Sequence, residues 1–352
     1  AGSYASPANS NVIDQLTINT GGTATDFGDL TGNFEKKKGN SQAHGGLNDG
    51  YQGTRIAPIP RGPGVGQRAL MLGGLNTSYA AVTQIDFLNI TSTGNSSRFG
   101  DLNVGLGTEA RGSSDVKAVN AATLAANTNH INATLFASEG NSSDFGDTSS
   151  TRGRIGGASN STRAIFGGGE DPNKSNIIDF VVIATEANAT DFGDLSAARG
   201  NVGGLASTTR LVFGGGEEGS LDYKDTMEYV TIGSTGNTTD FGNLSSSRGW
   251  NSGIGSSTRG VFAGGYTFSA PAATSTWFNE IDYITIASAG NATDFGNLTQ
   301  AKGKVGGASN STRGLFSGGN HAEDDAVTEI DYVTIASTGN ASDFGDLTAV
   351  LM

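Results

Sequence analysis

TQAKGKVGGASNSTRGLFSGGNHAEDDAVTEIDYVTIASTGNASDFGDL, residues 299–347, holds four strand-like segments in a row, and its reading decides the fold. KVGGASN is the first strand, A. TRGLFSGG is the second, B, and ends in the pair Gly318-Gly319. EIDYVTIAS, strand C, is rich in β-branched and aromatic residues. A Ser-Thr-Gly-Asn turn then leads into strand D, SDFGDL. Strand C is apolar on both faces, with Ile330 and Tyr332 on one and Val333 and Ile335 on the other. A sheet stacked between two neighbours needs that pattern, whereas a half-exposed strand alternates.

The unit repeats along the chain. Phe-Gly recurs at Phe27-Gly28, Phe99-Gly100, Phe145-Gly146, Phe192-Gly193, Phe241-Gly242, Phe295-Gly296 and Phe344-Gly345. From Phe99 onward the period is about 50 residues, the length of a four-stranded propeller blade. The C–D pair starts near Ile13, Ile85, Ile131, Ile178, Met227, Ile281 and Ile330. Strand B with its glycine pair ends at Gly73-Gly74, Gly168-Gly169, Gly215-Gly216, Gly264-Gly265 and Gly318-Gly319. The repeat at 103–147 is degenerate there, and only 115–127, DVKAVNAATLAAN, admits a short helix.

These units predict an all-β chain of one domain over 1–352: a seven-bladed β-propeller with four-stranded blades. The blades are 31–102, 103–147, 148–195, 196–244, 245–298 and 299–347, and a last one formed by 1–30 with 348–352. AGSY at 1–4 matches AGGY at 263–266, so the chain enters partway through that last blade. TAVLM at 348–352 supplies one further strand, so the blade closed by both termini is either short or completed by chain beyond these residues.

Composition narrows the function. With 55 Gly, 6 Pro and no three-residue period, the chain is a β-protein with many tight turns, not a collagen. A net charge of −13 repels phosphate backbones, which argues against a nucleic-acid partner. No apolar run is long enough for membrane insertion, and no basic-then-apolar leader opens the chain. The absence of Cys removes disulfides.

The glycine pair after an apolar strand, then an aromatic strand, then an aromatic-x-x-Leu strand resembles the Kelch pattern over nearly all the chain. Phe stands where the usual Trp of the outer strand would be. The wording IDYVTIASTGNATDFGDL with STRGxFxGG is similar to repeats in structural and tail-fibre-like proteins of marine tailed phages. The resemblance implies a non-enzymatic structural or attachment protein of a virion, in a tail appendage or a capsid decoration. Its partners would be other virion proteins or a host-surface glycan, within a larger assembly at the virion surface or outside the cell. The alternatives are a secreted or surface carbohydrate-binding propeller and, behind it, a polysaccharide-active enzyme.

Catalytic sets are poor. Asp-Phe-Gly also holds magnesium in kinases, but seven Phe-Gly copies in strands without a glycine-rich or catalytic loop exclude that role. SSDFGDT at 142–148 resembles the Asp-box of sialidase propellers, which implies a structural carboxylate. Asp26, Asp144, Asp191, Asp240, Asp294 and Asp343 can hold the C–D hairpin through local backbone N–H groups. Gly62-Pro63-Gly64-Val65-Gly66 lacks the Lys and helix of a phosphate loop. The Asn-x-Ser/Thr triplets at Asn141, Asn188, Asn237, Asn291 and Asn340 fall on C–D turns. His44, His130 and His321 lie in different repeats, and a copper-radical oxidase site needs a Cys. No cofactor is expected beyond a candidate calcium at Glu323, Asp324 and Asp325, near His321, with Glu170 and Asp171.

Two further patterns are informative. Arg68, Arg163, Arg210, Arg259 and Arg313 each stand five residues before a glycine pair, and their repeats carry Asp86, Asp179, Glu228, Asp282 and Asp331 in strand C. The degenerate repeat loses both charges, with Asn132 for the acid, which predicts Arg–acid pairs within each repeat. The B–C loops, 75–84, 170–176, 217–226, 266–280 and 320–329, vary most and share a face with the D–A links. Tyr266, Phe268, Trp277 and Phe278 in the longest loop, with Tyr79 and Tyr223, are the candidate binding residues. The other face carries one insertion, 48–64, which reads as an extended arm.

Overall fold

The computed structural model describes nearly all of residues 138–346, with breaks at 171, 270–273, 310–312, 318–319, 322–324 and 328, and chiefly the strands before residue 138. Residues 48–64, Tyr79 and 348–352 lie outside this set, so the arm, one candidate aromatic and the closing strand are not described.

The protein is all-β. Among the described residues there is no helix, six sheets have four strands, and every strand pairing is antiparallel. Strand order within each four-stranded sheet is A-B-C-D. Sheet I joins Lys38–Ser41, Arg68–Leu72, Gln84–Asn89 and Ser97–Asp101. Sheet II runs from Ala110–Ser113 to Ser143–Asp147, and sheet III from Gly156–Ser159 to Thr190–Asp194. Sheet IV runs from Gly203–Ala206 to Thr239–Asn243, sheet V from Ser252–Gly255 to Thr293–Asn297, and sheet VI from Gly306–Ser309 to Ser342–Asp346. Near the start, Val12–Gln15 and Thr25–Asp29 pair as a C–D unit alone. The stretch open to a short helix contains strand Lys117–Thr123 instead, because Ala118, Val119 and Ala121 are buried on both faces of sheet II.

Successive sheets stack face to face. Ile178, Phe180 and Phe192 of sheet III pack with Leu211, Phe213 and Val230 of sheet IV, while Val181 and Ile183 turn back to Val119 and Ile131 of sheet II. The two apolar faces of strand C are used in this way. Strand A of sheet II contacts strand A of sheet III, and the series continues through sheets IV, V and VI.

Polar groups seal the same interfaces. The side-chain oxygens of Asn141, Asn188, Asn237, Asn291 and Asn340 accept a backbone N–H from strand D of the preceding sheet, at 2.9–3.1 Å. Strand D of sheets I to V is thereby covered by the next sheet's C–D turn. Asp144, Asp191, Asp240 and Asp294 accept the N–H two residues on, at 2.8–3.2 Å, as the local turn chemistry predicts.

The strand-C acids have different partners from those predicted. Asp179 pairs with Arg152 at 2.7 Å, Asp282 with Arg248 at 2.7 Å, Asp331 with Lys302 at 3.1 Å, and Glu228 with Arg199. These cations come from the D–A links, not from strand B. Register explains why. Arg163 lies opposite Val182 and Phe166 opposite Asp179, so three residues of alternation put Arg163 and Asp179 on opposite faces. Sheets IV, V and VI have the same register at Arg210 and Glu228, Arg259 and Asp282, and Arg313 and Asp331. The side chains of Arg68 and Asp86 lie outside the described set. Strand-B arginines stack instead on strand-C rings: Arg163 on Phe180, Arg210 on Tyr229, Arg259 on Tyr283 and Arg313 on Tyr332, at 4.3–4.6 Å. Arg163, Arg210 and Arg259 also donate to the carbonyls of Ile232, Ile286 and Ile335 in the next sheet.

In sheet II, register puts Lys117 in the place of Arg163, 5.4 Å from the Phe145 ring, so the strand-B cation stays and only the acid of the pair is replaced, by Asn132. Asn132 accepts from Ser142 Oγ and the Asn103 N–H at 2.9 Å and donates to the Val104 carbonyl at 3.2 Å. A neutral amide thus holds the link directly. Arg210→Ala should cost about 1–2 kcal/mol, the worth of one cation–π contact and one hydrogen bond. In urea unfolding its effect should add to that of Glu228→Gln, since the two side chains lie on opposite faces; a coupling above about 1 kcal/mol would contradict this placement.

Candidate functional site

Four D–A links, those into sheets III to VI, carry a cation, a glycine and a third residue: Arg152-Gly153-Arg154, Arg199-Gly200-Asn201, Arg248-Gly249-Trp250 and Lys302-Gly303-Lys304. The buried cation fixes the link to strand C. The glycine bridges to the first residue of its own B–C loop: Gly153 to Glu170, Gly200 to Glu217, Gly249 to Tyr266 and Gly303 to Asn320. B–C loops and D–A links therefore meet on one face.

The third residue is left-handed in all four links, with φ from 54° to 58°. Its N–H reaches the carbonyl of the corresponding residue one sheet back: Asn201 to Arg154 at 3.0 Å, Trp250 to Asn201 and Lys304 to Trp250 at 3.1 Å. These bonds join Arg154, Asn201, Trp250 and Lys304 into a continuous arc across sheets III to VI. Arg, Trp and Lys occupy a conformation that Gly or Asn adopts far more easily.

One end of the arc is a charge network. Glu170 accepts from Arg154 at 2.9 Å and from Lys174 at 2.6 Å, and Lys174 reaches on to Glu217 at 3.0 Å. Burial raises Glu170, but the Lys174 hydrogen bond and the charges of Arg154 and Lys174 outweigh it and hold the carboxyl below its usual value. Glu217 also accepts from Asn201 Nδ2 at 3.2 Å and from the Leu221 N–H at 2.9 Å.

The other end is aromatic. Tyr266 and Trp277 face each other across the hairpin of Tyr266–Ser269 and Thr274–Trp277, with centroids 4.7 Å apart. Trp250 stacks on Tyr266 at 6.3 Å and 13°, and Tyr223 approaches Tyr266 at 6.2 Å. Lys304 Nζ is 5.8 Å from both the Trp250 and Tyr266 rings, and the Arg154 guanidinium is 5.8 Å from Trp250. Burial, with the Glu217 carboxylate next in effect, pushes the Tyr223 hydroxyl up to about 12, so it stays protonated at neutral pH.

Of the candidate binding residues, Tyr223, Tyr266 and Trp277 converge here. Phe268 follows in the hairpin, with its backbone hydrogen-bonded to Tyr223, and Phe278 ties its N–H to the Gly265 carbonyl at 3.0 Å. Trp250, Arg154, Asn201 and Lys304 were not among the candidates. Their signal was present: one position varies as Arg, Asn, Trp and Lys inside an otherwise repeated link. For the calcium candidates, Glu323, Asp324 and the Asp325 side chain lie outside the described set, and Glu170 is engaged by cations. Among the described residues, no three His, Cys, Asp or Glu side chains are grouped to hold a metal. No protein-family model matches this chain, and none of the curated proteins matches it in sequence.

Proposed function

We propose that the chain is a Kelch-like propeller of seven blades and serves as a non-enzymatic binding protein of a virion, in a tail appendage or capsid decoration. Six stacked four-stranded sheets, of which II to VI contact one another along their A strands, with a C–D pair as the seventh unit, support the propeller reading. The virion reading is supported by the repeat wording, which resembles that of tailed-phage structural proteins.

One observation carries the binding role. The scaffold repeats almost unchanged while the arc residues and the B–C residues beside them differ from sheet to sheet, all on one face. A constant frame that presents variable aromatic and charged side chains suits recognition of a glycan or a neighbouring virion protein.

The chain should copurify with an assembled particle through sedimentation; recovery only as free protein would sink the virion reading. Trp250→Gly should weaken partner binding about thirtyfold or more, since anchor aromatics are worth about 2 kcal/mol. Its melting temperature should hold, because glycine relieves the left-handed strain at φ 58°. A large fall in melting temperature with unaltered binding would assign Trp250 to the scaffold alone.

A further inference from the structure

We infer that the ligand of the loop-bearing face is an uncharged pyranose, seated on the Trp250–Tyr266 stack with hydroxyls toward Asn201 and Trp277. The inference rests on the glycan-binding reading above and names its substrate class.

Two polar atoms in the cluster have no partner. Asn201 is only 7% exposed, and its Oδ1 accepts nothing. Its orientation is fixed, because flipping the amide would turn Oδ1 onto the Glu217 carboxylate that Nδ2 now contacts at 3.2 Å. Trp277 Nε1 is buried and donates to nothing. One orphan is an acceptor and the other a donor, and a hydroxyl is the group that serves both. Beside them stand near-parallel rings, Trp250 and Tyr266, each partly exposed. A pyranose matches this set: apolar C–H groups on its flat face and hydroxyls around its rim.

Charge selects among sugars. Arg154 and Lys174 are matched by Glu170 and Glu217, so the network neutralises itself. Beyond it Glu218 and Asp222 share the single cation Lys224, on a chain of net charge −13. A carboxylated or sulfated sugar is repelled there. A cationic sugar meets Lys304, whose ammonium already sits over both rings. Uncharged pyranoses remain. Large side chains kept at strained left-handed positions, where glycine would relax the link, fit a surface retained for recognition.

The chain has 2 Trp, Trp250 and Trp277, so tryptophan fluorescence reports on this cluster alone. Methyl β-glucoside, methyl β-galactoside, methyl α-mannoside, glucuronate and glucosamine would each be titrated, with saturation-transfer NMR as the second readout. At least one neutral pyranoside should bind, and glucuronate about tenfold more weakly or worse at low salt. That gap should narrow between 0.01 and 0.1 M salt, as the screening length falls from about 30 to about 10 Å. Asn201→Gly, which suits φ 57°, should weaken the neutral sugar about tenfold without lowering the melting temperature.

Charged sugars binding as well as neutral ones would overturn the selection while leaving glycan binding intact. Binding by none of the five, with particle association still sensitive to Trp250→Gly, would overturn the inference and make the face a protein-docking site. Loss of both would remove the binding role itself.

Discussion

Arg248→Met should destabilise the protein by about 3–5 kcal/mol, the cost of stranding one charge of a buried pair. Arg248 and Asp282 are both 0% exposed and meet at 2.7 Å. Asp282 Oδ2 also accepts the Ser245 N–H and hydroxyl at 3.0 Å, so without Arg248 two neutral donors would face a sealed carboxylate. Burial draws the Arg248 guanidinium down against the pull of Asp282. Burial also draws Arg199 down, to about 10, so its guanidinium stays charged at neutral pH. Arg248→Lys should cost far less, because Lys302 fills the same place in sheet VI and reaches Asp331 at 3.1 Å. Adding Asp282→Asn to Arg248→Met should recover about 1–3 kcal/mol, since Asn132 shows that a neutral amide can hold this link. The measurement is the urea midpoint of each variant at constant m-value. Strict additivity of the double change would refute the pairing.

These pairs mark how far the sequence could be read. An all-β chain with strands A to D followed from a period near 50 residues and from strand C, whose Ile178 and Val181 are buried on opposite sides. The acid in strand C also stood out. Its partner did not, because the degenerate repeat departs at two places at once: Lys117 takes the place of the strand-B arginine, and Leu106 that of the D–A link cation. Covariation could not separate them. Register did, since Phe166, not Arg163, lies opposite Asp179. For the candidate site, Tyr266 and Trp277 were legible as loop aromatics. Trp250 was marked only as the varying position of a repeated link; no local pattern shows that the link turns left-handed there, since Arg, Trp and Lys at φ 54–58° run against their own preference.

Gly242→Ala should cost about 2–5 kcal/mol, which sums a left-handed penalty of about 1–3 and an overpacking cost of similar size. Gly242 lies in strand D of sheet IV at φ 132°, and an added Cβ would stand 2.5 Å from the Gly290 carbonyl carbon and oxygen. That backbone belongs to the C–D turn of sheet V and cannot easily retreat. Gly290 donates to the Phe241 carbonyl, Ala292 to the Asn243 carbonyl at 2.8 Å, and Asn291 accepts the Asn243 N–H at 3.1 Å. The same approach, at 2.0–2.6 Å, meets Gly100, Gly146, Gly193 and Gly296, which is why Phe-Gly recurs in strand D. Gly233 in the same sheet has nothing within 4 Å and no positive φ, so Gly233→Ala should stay within about 0.5 kcal/mol. Hydrogen exchange gives the decisive readout. In Gly242→Ala the Gly290 and Ala292 amides should exchange much faster, while the Met227 amide within sheet IV changes only as far as global stability falls. Uniform acceleration across both sheets would mean that the substitution loosens strand D itself, and the seam between the sheets would not be what glycine protects.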